Sequence, residues 1–412
     1  MYDPIVISGI GLVTAVGNDR ETTWRNLREG VSGVRQLSGV AGLPDGMLLA
    51  ADVRGIRGEP GRLRDYPVGK QAAGEALADS GLLLRSRVDR TRIGVIMSSV
   101  YGDSPGVAQL RGGQVGLDRW HEEFLASATL ANIANDFGLV GPRIGNATAC
   151  ATGTICVVTA MRAIEDGQCD AVLAGAITTI QPLLAAGFYN MRVLAKHDDP
   201  TAACRPFDVD RTGFVMGEGA GMLVIERASS ARARGARIYA ELTAGKLACD
   251  AHHVTDLSTD ASTLIHLLGS TLKKAKLAPG DVSYINAHGT GTTQNDIMES
   301  RGIRQAFGAA ADDLCVSSIK GNIGHLVNAA GAVELAITAL ALRDGFAPPT
   351  RNLVTPDPEC DLDCIPFVGR QRAFEHAVKI SIAFGGHLAA VALRRWDGAE
   401  EQVARPPLRV AA

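Results

Sequence analysis

Gly145-Asn146-Ala147-Thr148-Ala149-Cys150-Ala151-Thr152-Gly153-Thr154 is a run of small residues with one thiol in its middle. A long apolar stretch follows, Ile155 through Ile164, and Gly167 closes it. The pattern predicts a small-residue turn feeding a buried helix over Cys150–Asp166, with the cysteine at the helix entrance. A thiol at that place faces the positive end of the helix dipole and unpaired backbone N–H groups. Both favour thiolate over thiol, which makes Cys150 a candidate nucleophile. The same residue also fits a small buried hydrophobe, as most free cysteines are. Its neighbours along the chain have to decide between the two.

On either side of this stretch, apolar strand-like runs alternate with helical patterns. Strands are predicted at Ile5–Ser8, Ile93–Met97, Ala171–Ala174, Gly221–Glu226, Ile238–Thr243, Val282–Ala287, Leu314–Ser317 and Ala389–Arg394. Helices are predicted at Gly69–Asp79, Ser262–Lys274 and Ala330–Arg343. The alternation argues for an α/β protein with covered sheets. A break falls near Ala228–Gly235, where an Arg/Ala-rich helix meets a glycine. The chain is therefore read as residues 1–235 and 236–396, with a polar, loosely ordered tail over 397–412. No sequence motif is shared by the two parts.

Composition narrows the function classes. The chain has 412 residues, 46% hydrophobic, and a net charge of −3. That is ample for a large core and gives no global attraction to nucleic acid or acidic membranes. No apolar stretch reaches the ~18–20 uninterrupted residues of a membrane span, and no signal peptide is visible. The eight cysteines are scattered, and none sits at zinc-ligand spacing. Reduced thiols and a cytoplasmic protein without a metal site are expected.

Four further segments carry chemistry. Asn286-Ala287-His288-Gly289-Thr290-Gly291-Thr292-Thr293 follows a strand-like run, which suits an exposed imidazole or, equally, a turn in which His288 only caps backbone groups. Ser317-Ser318-Ile319-Lys320-Gly321-Asn322-Ile323-Gly324-His325 leads into the helix at 330–343. Lys320 there is either solvated or buried beside a carboxylate, with Glu334 as the candidate. Ile382-Ala383-Phe384-Gly385-Gly386-His387 holds tandem glycines that permit close backbone approach to a ligand, or form an ordinary tight turn. Phe214 through Gly221 is glycine-rich but precedes a strand, so a dinucleotide-binding reading fails on order. One cysteine, two histidines on glycine-rich loops and a lysine point to thioester chemistry.

These segments, together with Pro206-Phe207-Asp208 and Gly213–Gly221, resemble in order the signatures of the β-ketoacyl-acyl-carrier-protein synthases, from about Tyr2 to Trp396. The nearest branch resembles synthase II and the polyketide ketosynthases. The resemblance implies a thiolase fold, two similar α/β halves stacked as a five-layered αβαβα core, in a dimer. It implies Cys150 as acyl-accepting nucleophile, and His288 and His325 acting on the malonyl unit. Lys320 positions His325, with Glu334 as its carboxylate. Backbone N–H groups of Cys150 and Phe384 form an oxyanion hole, the Phe384 side chain gates the acyl pocket, and Thr290 and Thr292 hold phosphopantetheine. It implies no cofactor beyond the phosphopantetheine carried in by an acyl carrier protein. That partner is acidic, so a basic patch is expected among Arg54, Arg57, Arg62, Arg64 and Lys70, with Lys196 beside it. The dimer is either homomeric or a heterodimer with a ketosynthase-like chain-length-factor subunit.

Three residues depart from the pattern: Ala383 stands for a glycine, and His387 and Leu388 for two polar residues. The stretch from Val100 to Gly141 looks a few residues short, and Tyr101 stands for a glycine. The reading is decarboxylative condensation of an acyl thioester with malonyl carrier, in fatty-acid or, by preference, type II polyketide or polyene synthesis. A non-elongating acyltransferase and a chain-length-factor-type subunit are the alternatives.

Overall fold

The structure, a computed structural model, describes residues 2–39, 44–46, 48–58, 63–84, 88–99, 125 and 127–397. Arg62, most of the stretch after Val100 with Tyr101, and the tail from 398 onward lie outside the described residues.

Ten strands form the main sheet. In chain order they are β1 (Ile5–Thr14), β2 (Ile93–Ser98), β3 (Arg143–Ile144), β4 (Ala171–Thr178), β5 (Gly219–Arg227), β6 (Ala240–Cys249), β7 (Val282–Asn286), β8 (Cys315–Ser317), β9 (His376–Ala383) and β10 (His387–Arg395). Every residue of β1, β2 and β4 is buried, as continuous apolar runs covered on both faces require. The seventh predicted strand lies where β8 forms. The fifth, predicted at Ile238–Thr243, begins two residues later and runs on to Cys249.

The lateral order is β8-β7-β9-β10-β6-β1-β5-β4-β2-β3. It divides into two five-stranded units joined only where Val6 and Ile7 of β1 meet Glu241 and Ala240 of β6. Within the first unit β2 pairs in parallel with β3 and β4, and β5 runs antiparallel to β4 and β1. Within the second, β7 pairs in parallel with β8 and β9, and β10 runs antiparallel to β9 and β6. Strand order and sense are the same in both. The repeat that no sequence motif revealed is present in the topology.

Helices complete the layers. α1 (Asp65–Ser80) and α2 (Ala128–Asp136) cover the outer face of the first sheet; α3 (Thr152–Glu165) lies on its inner face. α4 (Ser262–Ala275) and α5 (Thr293–Phe307) cover the outer face of the second sheet, and a short helical turn, α6 (Lys320–Ile323), precedes α7 (Ala330–Asp344). Every residue of α7 from Ala330 to Leu342 is buried. A helix apolar all round belongs between two sheets rather than on a surface. α3 and α7 fill that middle layer, which gives the five layers of the thiolase fold. Each fully buried leucine or isoleucine there contributes about 1.5–3 kcal/mol.

The two middle helices cross where glycine is obligatory. A Cβ on Gly153 would lie 2.5 Å from the Ala332 nitrogen, and one on Gly331 would lie 2.2 Å from Thr154 Oγ1. Each helix is preceded by a single turn of 3₁₀ helix, Ala149–Ala151 and Val327–Ala329. The first residue of each turn has positive φ, +45° at Ala149 and +43° at Val327. That conformation is strained for a residue with a side chain, above all a β-branched one.

Candidate active site

Cys150, the predicted first residue of the helix, instead occupies the 3₁₀ turn ahead of α3, which begins two residues later at Thr152. Thr152 Oγ1 accepts from the Thr148 N–H at 3.0 Å and closes the turn. The sulfur is buried, and the backbone N–H groups of Cys150 itself and of Phe384 reach it. The sequence predicted a thiol tilted toward thiolate; the structure corrects this. Burial pushes Cys150 up to about 12, and the Lys320 charge and the two N–H groups only partly oppose it. A helix terminus contributes typically 0.3–1 kcal/mol. Each tenfold loss of ionisation reflects about 1.4 kcal/mol, and the thiol ends far above its ordinary range, so desolvation wins. The resting thiol keeps its proton.

Two imidazoles stand in the same cavity. His288 follows β7, and the Glu299 carboxylate on α5 accepts from the His288 and Gly289 N–H groups at 2.6 and 2.7 Å. His325 is held by backbone bonds to a small sheet that was not predicted, Val34–Gln36 with Leu49–Ala51 and Met216–Gly217. Its N–H donates to the Val215 carbonyl at 2.6 Å, and its carbonyl accepts from Gly217 at 2.9 Å. The two rings meet edge to face with centroids 5.3 Å apart, and Phe214 lies edge-on to His325 at the same distance. Both are held well below the ordinary histidine range, by burial first and then by the Lys320 charge. They are neutral at pH 7. Nδ1 of each ring is buried without a hydrogen-bond partner. An orphaned acceptor costs less than an orphaned N–H, which assigns the proton to Nε2 on both rings.

Lys320, fully buried at the start of α6, donates to Glu334 of α7, the carboxylate expected for it, and to the backbone carbonyl of His288 rather than to the expected His325. The other Glu334 oxygen lies 2.9 Å from a second buried lysine, Lys379 of β9. Sequence reasoning missed Lys379, although a lone charge inside Ala377-Val378-Lys379-Ile380-Ser381-Ile382 was a visible signal. It also missed Asp296 and Glu299. Asp296 accepts from Thr290, Gly291 and Phe207 N–H groups, and so shapes the loop that carries Thr290 and Thr292. Acidic residues in the first two turns of a helix that follows a glycine–threonine loop were the clue.

The cavity holds about 490 Å³ and is lined by Cys150, His288, His325, Thr290, Thr292 and Phe384, with Phe188, Phe214 and Arg192 among the rest. All the catalytic and arm-binding candidates but Lys320 and Glu334 thus share one space, and those two are buried outside its lining. The Thr290 and Thr292 hydroxyls are 2.8 Å apart.

The basic patch is less uniform than the sequence implied. Arg54, Arg57 and Lys196 are exposed. Arg64 instead turns inward, donating to Glu218 and to the Val53 carbonyl. Glu218, buried, also accepts from the Val53 and Ile180 N–H groups, so Arg64 neutralises an internal carboxylate. Lys70 pairs with Asp136 at 3.0 Å. Lys196 lines a second hollow together with His197 and Arg192, and Arg192 borders both hollows. No helix among the described residues is long and apolar enough to cross a membrane.

Comparison with known proteins agrees with this geometry. The β-ketoacyl synthase N-terminal domain matches residues 2–47 and 68–231, and the C-terminal domain of the same family matches 239–354. The 3-oxoacyl-[acyl-carrier-protein] synthase 2 of Staphylococcus aureus strain COL is 35% identical over 410 residues, covering 95% of this chain and 98% of that protein. The enzyme of the same name from Synechocystis is also 35% identical, with the same coverage. Among solved structures, a type II polyketide synthase acyl-carrier protein in complex with its ketosynthase bound to the hexaketide superposes with a TM-score of 0.89 at 31% identity, covering 96% of this chain and all of that one. The ishigamide ketosynthase/chain length factor gives 0.86 at 28%, with the same coverage. The chain therefore belongs to the β-ketoacyl synthases, as a condensing acyltransferase of the 3-oxoacyl-[acyl-carrier-protein] synthase type.

Proposed function

We propose that this protein condenses an acyl group held on Cys150 with a malonyl unit delivered by an acyl carrier protein. The observation that carries the reading is the meeting of one thiol, two neutral imidazoles and two backbone N–H donors in a single cavity. Cys150 Sγ attacks the acyl-carrier thioester, and its proton goes to the departing pantetheine sulfur. This leaves acyl-Cys150 and a free carrier thiol. Malonyl carrier then enters with its arm along Thr290 and Thr292. The bond to its carboxylate breaks, CO2 leaves, and the electron pair becomes a thioester enolate whose oxygen accepts from the Nε2–H groups. An imidazolium there would hold the carboxylate in its ground state, so neutral rings suit the step. The enolate carbon attacks the acyl carbonyl. The oxyanion is held by the N–H groups of Cys150 and Phe384, each such donor being worth ~2.7–4 kcal/mol. Collapse expels the Cys150 thiolate, which takes up one proton; a site that pushes the thiol to about 12 favours that reset. No step calls on a metal or an organic cofactor of the protein's own.

The finer assignment is type II polyketide or polyene assembly. It is supported by Ala383, His387 and Leu388 around the Phe384 gate and by the likeness to the polyketide ketosynthases. Primary fatty-acid elongation is the second reading, favoured by the 35% identical synthase 2 relatives. The acyl carrier protein is the partner in either case, and pairing is with a second copy or with a ketosynthase-like subunit.

Mass spectrometry of carrier-bound products after mixing the protein with acyl- and malonyl-carrier proteins tests the reaction. A 3-oxoacyl carrier two carbons longer is expected, with one CO2 per turn; acylation of Cys150 without CO2 release rejects elongation in favour of simple acyl transfer. The identity of the starters accepted separates the two pathways. Lys196→Glu is expected to raise KM for carrier-borne thioesters several-fold more than KM for a pantetheine-sized thioester, because charge complementarity acts on encounter with the acidic partner. Equal changes on both would remove Lys196 from the docking surface.

A further inference from the structure

Lys379 sits near the middle of β9, level with Asn286 of β7 and Val391 of β10. Asn286 is in turn level with Ser317 of β8. One rung across the second sheet therefore ends β7 and β8 just ahead of His288 and Lys320, and sets Lys379 beside them. Its side chain is fully buried, its Nζ lies 2.9 Å from Glu334 Oε2, and it also reaches the Ile380 carbonyl. Lys320 holds the other oxygen of Glu334. One carboxylate is thus divided between two ammonium groups.

Lys320 alone would already pair Glu334. A second lysine in a buried strand adds a desolvation cost that a neutral side chain of similar length would avoid. The groups that face Lys379 are Glu334 from α7, Lys320 from α6, Glu299 from α5, and the imidazoles of His288 and His325. Both imidazoles feel Lys379 as well as Lys320. A positive charge close behind a neutral imidazole disfavours its protonation.

We infer that Lys379 is a positioning residue for decarboxylation: a second buried ammonium group, sharing Glu334 with Lys320, that keeps His288 and His325 in their neutral, Nε2–H donating form. The inference rests on the reading of those imidazoles as enolate donors, and goes beyond it by assigning their protonation state to a lysine that touches no substrate. Lys379 acts through charge, so a neutral replacement alters when the histidines protonate. A replacement that keeps the charge does not.

The test is the pH profile of CO2 release from malonyl carrier by the full-length protein, the Lys379→Met variant and the Lys379→Arg variant. The unaltered protein is expected to hold its rate down past pH 6.5, the ordinary histidine value, since both rings lie well below it. Losing a cation raises the histidine values, so the acid limb of Lys379→Met moves up by on the order of one pH unit. Lys379→Arg keeps the original limb. A Lys379→Met protein that is slower throughout but keeps the unaltered limb overturns the inference and makes Lys379 a packing residue. Absence of CO2 release from the unaltered protein at every pH sinks the condensation reading itself, a distinct result. If Lys379→Met does not fold, side-chain nitrogen NMR of the unaltered protein decides. Among the described residues Lys320 and Lys379 are the two lysines that are fully buried, so two exchange-protected ammonium signals are expected at neutral pH. A single one means an uncharged Lys379 and overturns the inference.

Discussion

Cys150→Ala protein loses acyl transfer from carrier by on the order of 10⁴-fold or more, yet still releases CO2 from malonyl carrier at a rate within about tenfold of the unaltered protein. The asymmetry follows from who holds what. Alanine removes the one atom that can form a thioester. It leaves the backbone N–H groups at 150 and 384, and it leaves His288 and His325, whose positions are fixed by Glu299, Val215 and Gly217 rather than by the sulfur. The site is already tight around the 3₁₀ turn, so the small cavity costs only about 1 kcal/mol of stability. Intact-mass measurement of the acyl adduct and a CO2 assay on the same sample check both halves. An adduct that persists on the variant places the acyl group elsewhere. Loss of both activities in a natively folded variant shows that sulfur and imidazoles do not act as separable units.

Glu334→Ala should be the most destabilising single change in the site, by about 3–5 kcal/mol. The carboxylate is the shared counter-charge of Lys320 and Lys379, all three being buried. Removing it leaves two ammonium groups in the middle layer, donating only to the carbonyl oxygens of His288 and Ile380. The sign of the pH dependence is fixed. Lys379 is already pulled below the ordinary lysine range by burial, and loss of Glu334 pulls it further. The unfolded chain then binds more protons than the folded one between the two lysine values, so stability rises with pH across that window. Thermal unfolding of the variant is expected roughly 5 °C below the unaltered protein at neutral pH, with the gap narrowing as the pH is raised toward the ordinary lysine value of about 10.4. A gap that stays constant, or a loss below about 1 kcal/mol, would show that a neutral lysine or water already relieves the cluster.

The sequence made some of this legible and hid the rest for physical reasons. Local pattern was enough for α7, whose residues are apolar all round, and for the turn at Cys150, where only small residues fit. Motif order was enough to bring Cys150, His288, His325 and Phe384 together, because their loops all end strands or begin helices of the same fold. What depends on a distant partner was not legible. Arg64 reads as a solvated charge until Glu218, far along the chain, is seen beneath it. The dipole at Cys150 is visible in the sequence, but desolvation, which outweighs it, is a property of the packed site. Lys379 reads as an interruption of a strand until Glu334 is placed against it. The repeat was implied by the family resemblance alone and by no motif of the chain, because strand order and sense can be preserved with few residues in common.

That repeat also says how the labour of catalysis is divided. Aligning the two 3₁₀ turns on their strained first residues, Ala149 and Val327, and on the crossing glycines, 153 and 331, sets Asn328 opposite Cys150. The second unit carries an amide where the first carries a thiol, and that amide donates to the Ser99 carbonyl at 3.3 Å, bracing the end of β2. Conversely, the imidazoles and both lysines belong to the second unit alone. Neither unit holds a complete set of reagents. In the proposed reaction the electrophile is loaded on the first unit and the enolate forms beside the imidazoles of the second.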